Sequence, residues 1–202
     1  FDTYDMYGNA YNRWLIELTG VDDMVNDDEV TVTTYRGLNE LQRDGTGTAF
    51  APGSTQQIDA RWGKSFVSQL KGKIVDGVLT TEPIDALKWP NSQPGVLSGY
   101  YIVRGSRLQL DLNQRTAQGV LAGYVDVESF SHQLNTNWAT HHQSYGQLSA
   151  ASLHRALRRL ADGYADAKTG TNTAISSAVQ LSFVQAYLVH PRNETVIASK
   201  TR

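Results

Sequence analysis

The sequence predicts an α+β fold, with a central, mainly antiparallel sheet flanked by an N-terminal helix and a C-terminal helical region. Three observations carry this. Short runs rich in β-branched residues fill positions 30–130 and are broken by Gly, Pro and Asn rather than by the long helical crossovers that parallel strands need. Tyr7, Tyr11, Trp14, Leu15 and Leu18 recur at spacings of three and four, one face of an amphipathic helix. A second amphipathic stretch, Leu148 to Tyr164, sets apolar residues on one face and Arg155, Arg158 and Arg159 elsewhere.

In chain order, the first helix covers Tyr4 to Leu18 and Gly20 ends it. An acidic connector follows, with Asp22, Asp23, Asp27, Asp28 and Glu29, and then the alternating strand Val30 to Tyr35. Asp44 to Gly53 carries three glycines and Pro52 and reads as a loop. Ile58, Trp62, Phe66 and Leu70 suggest a second helix. Strand-like runs follow at Ile74–Thr81, Gly95–Val103, Ser106–Leu112 and Val120–Phe130, with Arg104-Gly105-Ser106 as a turn. Ser149 caps the late helix, which buries Leu157, and Gly163 lies near its end. The apolar segment Ala174 to Val189 fits helix or strand, with a strand favoured in its second half, and Pro191 stops it. Together these make one domain over 1–202: a helical lead-in at 1–30, a β-rich core at 30–130, and a helix with a final apolar segment at 148–190.

Composition bounds the function. At 202 residues the chain is long enough to bury a core without staples. With no cysteine, disulfides and thiolate chemistry are excluded. A net charge of −2 gives no electrostatic footprint for nucleic acid, and no apolar run is long enough to span a membrane. Phe1 in place of Met marks a processed chain, a fragment or the ordered part of a longer one, and the sequon Asn193-Glu194-Thr195 reads as a chance surface turn. A secreted or virion-associated location is mildly favoured.

Few residues carry an obvious chemistry. The histidines are His132, His141, His142, His154 and His190. Adjacent His141 and His142 diverge on any regular element, and no metal site is expected. There is no nucleophile elbow, and Gly45-Thr46-Gly47 lacks the spacing and lysine of a phosphate loop. The arginine cluster of the late helix reads as a solvated face. One constellation stands out. Tyr35-Arg36-Gly37 closes a strand, Thr80-Thr81 sits at the end of another, and Asp126-Val127-Glu128 places two carboxylates at i and i+2 on one strand face.

On these residues, the stretch from Val30 to Phe130 resembles the mono-ADP-ribosyltransferases of the arginine, serine-threonine-serine, glutamate type. The resemblance implies cleavage of NAD and transfer of ADP-ribose to a protein or nucleotide acceptor, without a metal. It assigns Arg36 and Thr81 to binding NAD, Thr80 to orienting the key glutamate, Glu128 to the oxocarbenium-like transition state, and Asp126 to engaging the acceptor. A fixed carboxylate suits charge developing on the ribose, and an arginine suits phosphate. Thr80-Thr81-Glu82 departs from Ser-Thr-Ser, and Asp126 from the usual Glu or Gln. The ribosome-inactivating N-glycosidases are a fainter resemblance, and Leu181 to Tyr187 lacks their Glu–Arg pair. The alternative is a non-enzymatic structural or assembly module of a virion, phage tail or secreted particle, able to form homo-oligomers. Absent cysteine, ample Ser, Thr, Asn and Gln, and ten tyrosines support it.

Overall fold

In the computed structural model, the residues described are 14–39, 42–60, 63–90, 100–135 and 150–191. Eleven strands lie among them: β1 (Trp14–Thr19), β2 (Asp27–Arg36), β3 (Ser54–Gln57), β4 (Ser68–Val75), β5 (Val78–Thr81), β6 (Leu87–Pro90), β7 (Tyr100–Leu112), β8 (Thr116–Asp126), β9 (Gly163–Ala165), β10 (Asn172–Val184) and β11 (Ala186–Val189). The two α-helices among them are α1 (Val127–Asn135) and α2 (Ala150–Leu160).

Nine strands form one sheet in the order β1-β2-β4-β5-β7-β8-β10-β9, with β6 pairing the first part of β7. Every pairing in it is antiparallel. The order follows the sequence because the connections are tight. Asp76 and Gly77 both take positive φ, 51° and 79°, the two-residue turn whose twist matches a hairpin. Alternation then builds the core. Val30, Val32, Leu70, Ile74, Leu79, Leu87, Val103, Leu108, Leu110 and Leu121 are buried, while Arg107, Gln109 and Asp111 on β7 turn outward.

The sheet curls back on itself. Trp14 of β1 meets Trp89 of β6 at 5.0 Å between ring centroids and Phe183 of β10 at 6.0 Å, although β1 and β10 lie far apart in strand order. A parallel pair, β11 with β3, braces the curl. Gly53 N–H donates to Gln185 O at 2.8 Å and Ile58 N–H to Val189 O at 3.1 Å, and Ile58 also bridges Gly37 just past β2. Beside this brace, Tyr35 Oη donates to Glu17 Oε2 at 2.9 Å and His190 Nε2 lies 3.0 Å from Glu17 Oε1.

Several sequence expectations are corrected. The fold is β-rich and not an α+β sheet with a flanking N-terminal helix. Residues 4–13 of the expected first helix lie outside the described residues, and the rest of it is β1. Trp14, Ile16 and Leu18 point to the core with period two, so the apparent helical spacing came from joining them to tyrosines outside the strand. Trp14, which the apolar face of that helix would bury, is half-buried. Within the expected helix from Ile58 to Leu70, Arg61 and Trp62 lie outside the described residues, and the rest is a bridge at Ile58, a short 3-10 turn at Lys64–Phe66 and the start of β4. Arg104-Gly105-Ser106 does not end a strand; it is a bulge within β7, where the register shifts between Arg104 and Arg107. Ala174 to Val184 is one strand. Leu157 is buried on α2, as its helix face predicts.

Candidate functional site

Of the five residues the resemblance singles out, Arg36 ends β2. It is buried at 7% exposure, and its backbone carbonyl accepts from Asp59 N–H at 2.8 Å. Burial draws its guanidinium down to about 10, opposed by the nearby buried Asp59 carboxylate. That is a charge holding the β2–β3 junction. Thr80 is exposed on β5, and buried Thr81 accepts from Leu108 N–H through Oγ1 at 3.0 Å, tying β5 to β7.

Asp126 and Glu128 do not share a strand face, which corrects the expected i, i+2 pair: β8 ends at Asp126 and α1 begins at Val127. Asp126 is the N-cap. Its Oδ1 accepts from Ser129 N–H at 2.8 Å, and its Oδ2 accepts from Arg104 Nη2 at 2.5 Å. Ser129 returns a bond from Oγ to Asp126 O at 3.1 Å and accepts from Ile102 N–H at 3.0 Å, clamping α1 to β7. Glu128, exposed in the first turn of α1, meets His154 Nε2 at 3.0 Å and Arg158 Nη1 at 3.6 Å on α2. A carboxylate in the first turn also suits the helix dipole.

The register separates these groups. Thr80 pairs with Lys73 on β4, while Arg36 lies two residues beyond Thr34, which pairs with Ser68. The two side chains are thus on the order of 20 Å apart along the strands. Thr80 also pairs with Gln109, which faces Val120, so Asp126, like Arg36, lies on the order of 20 Å from Thr80 toward the same end of the sheet. Strand β4 stands between β2 and β5, and β7 between β5 and β8. Asp126 and Glu128 share one helix start, with three strands between them and Arg36, and Thr80 stands apart along the strands. Among the described residues, no cluster of three or more His, Asp or Glu side chains is placed to hold a metal ion. His141 and His142 lie outside them. No described helix is long and apolar enough to cross a membrane.

Two features that the sequence reading missed are organised more fully. The first is the edge of β10. Opposite β8, β9 pairs only with Asn172 and Ala174. Ser176 N–H turns the same way and is taken by Asp162 Oδ1 at 2.7 Å. By the two-residue period, the N–H and C=O groups of Ala178, Gln180 and Ser182 point outward too. They meet no strand among the described residues. Their side chains are exposed, while Val179, Leu181 and Phe183 are half-buried toward the core. From Ala174 to Val189 the chain has no charge, proline or glycine, the usual means of blunting an edge.

The second is an open groove of about 450 Å³ on the outer face of β7 and β8, lined by Asp85, Arg107, Ala122, Tyr124 and Tyr164 among others. Tyr164 sits at φ 55°, a conformation bulky residues avoid. It is held by its hydroxyl, which donates to Asp85 Oδ1 at 3.0 Å, and by Thr173 Oγ1, which donates to its carbonyl at 2.6 Å. Burial and the Asp85 bond raise its phenol above the ordinary value.

Comparison with protein-family models, with curated proteins and with solved structures finds no match to this chain.

Proposed function

We propose that the chain is a non-enzymatic assembly module whose copies join through the edge of β10 that no described strand covers. The single observation behind this reading is the row of outward N–H and C=O groups at Ala178, Gln180 and Ser182, on a stretch with nothing to repel another strand. A row of alternating donors and acceptors is matched group for group by a second extended backbone. A second copy fits on charge. In a two-fold antiparallel pair centred on Gln180, each Gln180 faces its own counterpart and Ala178 faces the partner's Ser182, so a charged edge would repel itself and this one does not. The added strand would also cover Val179, Leu181 and Phe183, which the single sheet leaves half-exposed.

The test is sedimentation equilibrium of the wild type and of Gln180→Pro. Proline removes one outward N–H at an edge position, where it is tolerated, so the fold stays and the pairing goes. A concentration-dependent dimer in the wild type and a monomer in the variant is the expected result. A wild type that stays monomeric at every concentration rejects the reading.

A further inference from the structure

The groove over β7 and β8 has the parts of a small-ligand site, and no part of the proposed assembly uses it. Tyr124 and Tyr164 meet at 5.3 Å between ring centroids with planes at 64°, and each is about one-third exposed. Their positions are fixed from below by glycines. A Cβ on Gly163 would stand 2.5 Å from the Tyr124 ring, and one on Gly105 would stand 2.6 Å from the Tyr164 hydroxyl. Gly105 N–H also donates to Asp85 Oδ1 at 3.2 Å, beside the Tyr164 hydroxyl on the same oxygen. The Arg104 guanidinium lies 5.7 Å from the Tyr164 ring centroid while bonded to Asp126, so the wall of the groove is continuous with the α1 cap. Backbone strain of the kind seen at Tyr164 persists only where the surroundings over-determine it, and it gathers at ligand sites.

The polar groups narrow the ligand. Arg107 is exposed in the groove, with no ion pair or hydrogen bond among the described residues. Asp85 Oδ1 is engaged twice, and its Oδ2 has no hydrogen bond among the described residues. One planar donor fork and one carboxylate acceptor stand beside two rigid phenol rings, with no net charge between them. Phosphate would gain from Arg107 and lose to Asp85. A neutral polyhydroxylated ring gains from both, since vicinal hydroxyls donate and accept, while its C–H face packs on an aromatic ring. We infer that the Tyr124–Tyr164 groove is a saccharide-binding site for a neutral pyranose unit, with Arg107 and Asp85 reading its hydroxyls. The volume suits one or two sugar rings, and the open shape suits an internal unit of a longer chain.

Saturation-transfer NMR on the full chain tests this with cellotriose, maltotriose and N,N′,N″-triacetylchitotriose, and with inorganic phosphate followed by 31P line broadening. The expected result is transfer to the ring protons of at least one trisaccharide, with a Kd on the order of 0.1–1 mM. Binding should weaken at least about ten-fold in both Tyr124→Ala and Arg107→Met. Arg107 is exposed, so its variant keeps the fold and the comparison holds even where Tyr124→Ala does not fold. Absence of transfer to all three sugars, binding of phosphate alone, or sugar binding unchanged in Arg107→Met would each overturn the assignment.

Discussion

Replacing Asp126 separates a structural carboxylate from a catalytic one. Asp126→Ala removes the N-cap of α1, worth about 0.5–2 kcal/mol. It also removes the partner of Arg104. A hydrogen bond to a charged group contributes about 1.5–3 kcal/mol, but the Arg104 side chain is 38% exposed and solvent screens it, so about 1 kcal/mol is the appropriate share. The total is about 1.5–3 kcal/mol, or a fall in Tm of about 3–12 °C for a chain of this length. Asp126→Asn keeps an oxygen to cap Ser129 N–H and loses only the charge, so it should cost about 1 kcal/mol. Urea unfolding followed by circular dichroism reads both. Equal losses for the alanine and asparagine variants, or a loss below about 0.5 kcal/mol for alanine, would refute the assignment of the cap.

Gly119→Ala should destabilise by about 1–3 kcal/mol in the same assay, because its Cβ would stand within bonding range of Gln109 O and β7 and β8 must part. Hydrogen bonds hold the carboxylates of Asp27, Asp44, Asp162 and Asp166 below the ordinary 3.8, chiefly those from Asp22 N–H, the Thr46 hydroxyl, the Ser176 hydroxyl and Thr169 N–H respectively. A lowered folded-state value stabilises the protein above the unfolded value and is lost as pH falls through the folded one. The urea midpoint should therefore hold from pH 7 to about 4 and drop below that, less steeply in Asp162→Asn. For NAD, hydrolysis by the wild type should not exceed that of Glu128→Gln, since Glu128 is engaged with His154 and Arg158 on the surface; a fall in turnover on removing its charge would restore the transferase reading.

Much of the sheet was legible because alternation and turn chemistry are local. Val30 to Tyr35 announces a strand, whereas the run read as one strand over Ile74–Thr81 is broken by the Asp76-Gly77 turn between β4 and β5. Errors arose where two periods coincide over a short stretch. Trp14 and Leu18, four residues apart, satisfy a helix as well as a strand, and only the partner strand β2 decides. The start of α1 was present in the sequence as Asp126-Val-Glu-Ser129, a cap with its hydroxyl three residues on, but it read as the polar face of a strand because an apolar run led into it. The groove was not legible. It depends on the register that sets Arg104 against Tyr124, on the shift in that register between Arg104 and Arg107, and on the positive φ of Tyr164, none of which has a local signature. The edge of β10 that meets no described strand was hidden for a related reason: an apolar run shows that a strand exists, and only the topology shows which of its sides the described strands leave uncovered.

The claim that β10 pairs with itself is tested most directly by a charge swap at its centre, Gln180→Lys and Gln180→Glu, measured separately and as an equimolar mixture by light scattering after size exclusion. Self-pairing sets each new charge against its own copy, so each variant alone should be monomeric. In the mixture unlike charges face each other, and the dimer should return. Dimers that persist in the lysine variant alone, or a mixture that stays monomeric while the wild type dimerises, would contradict pairing through this edge.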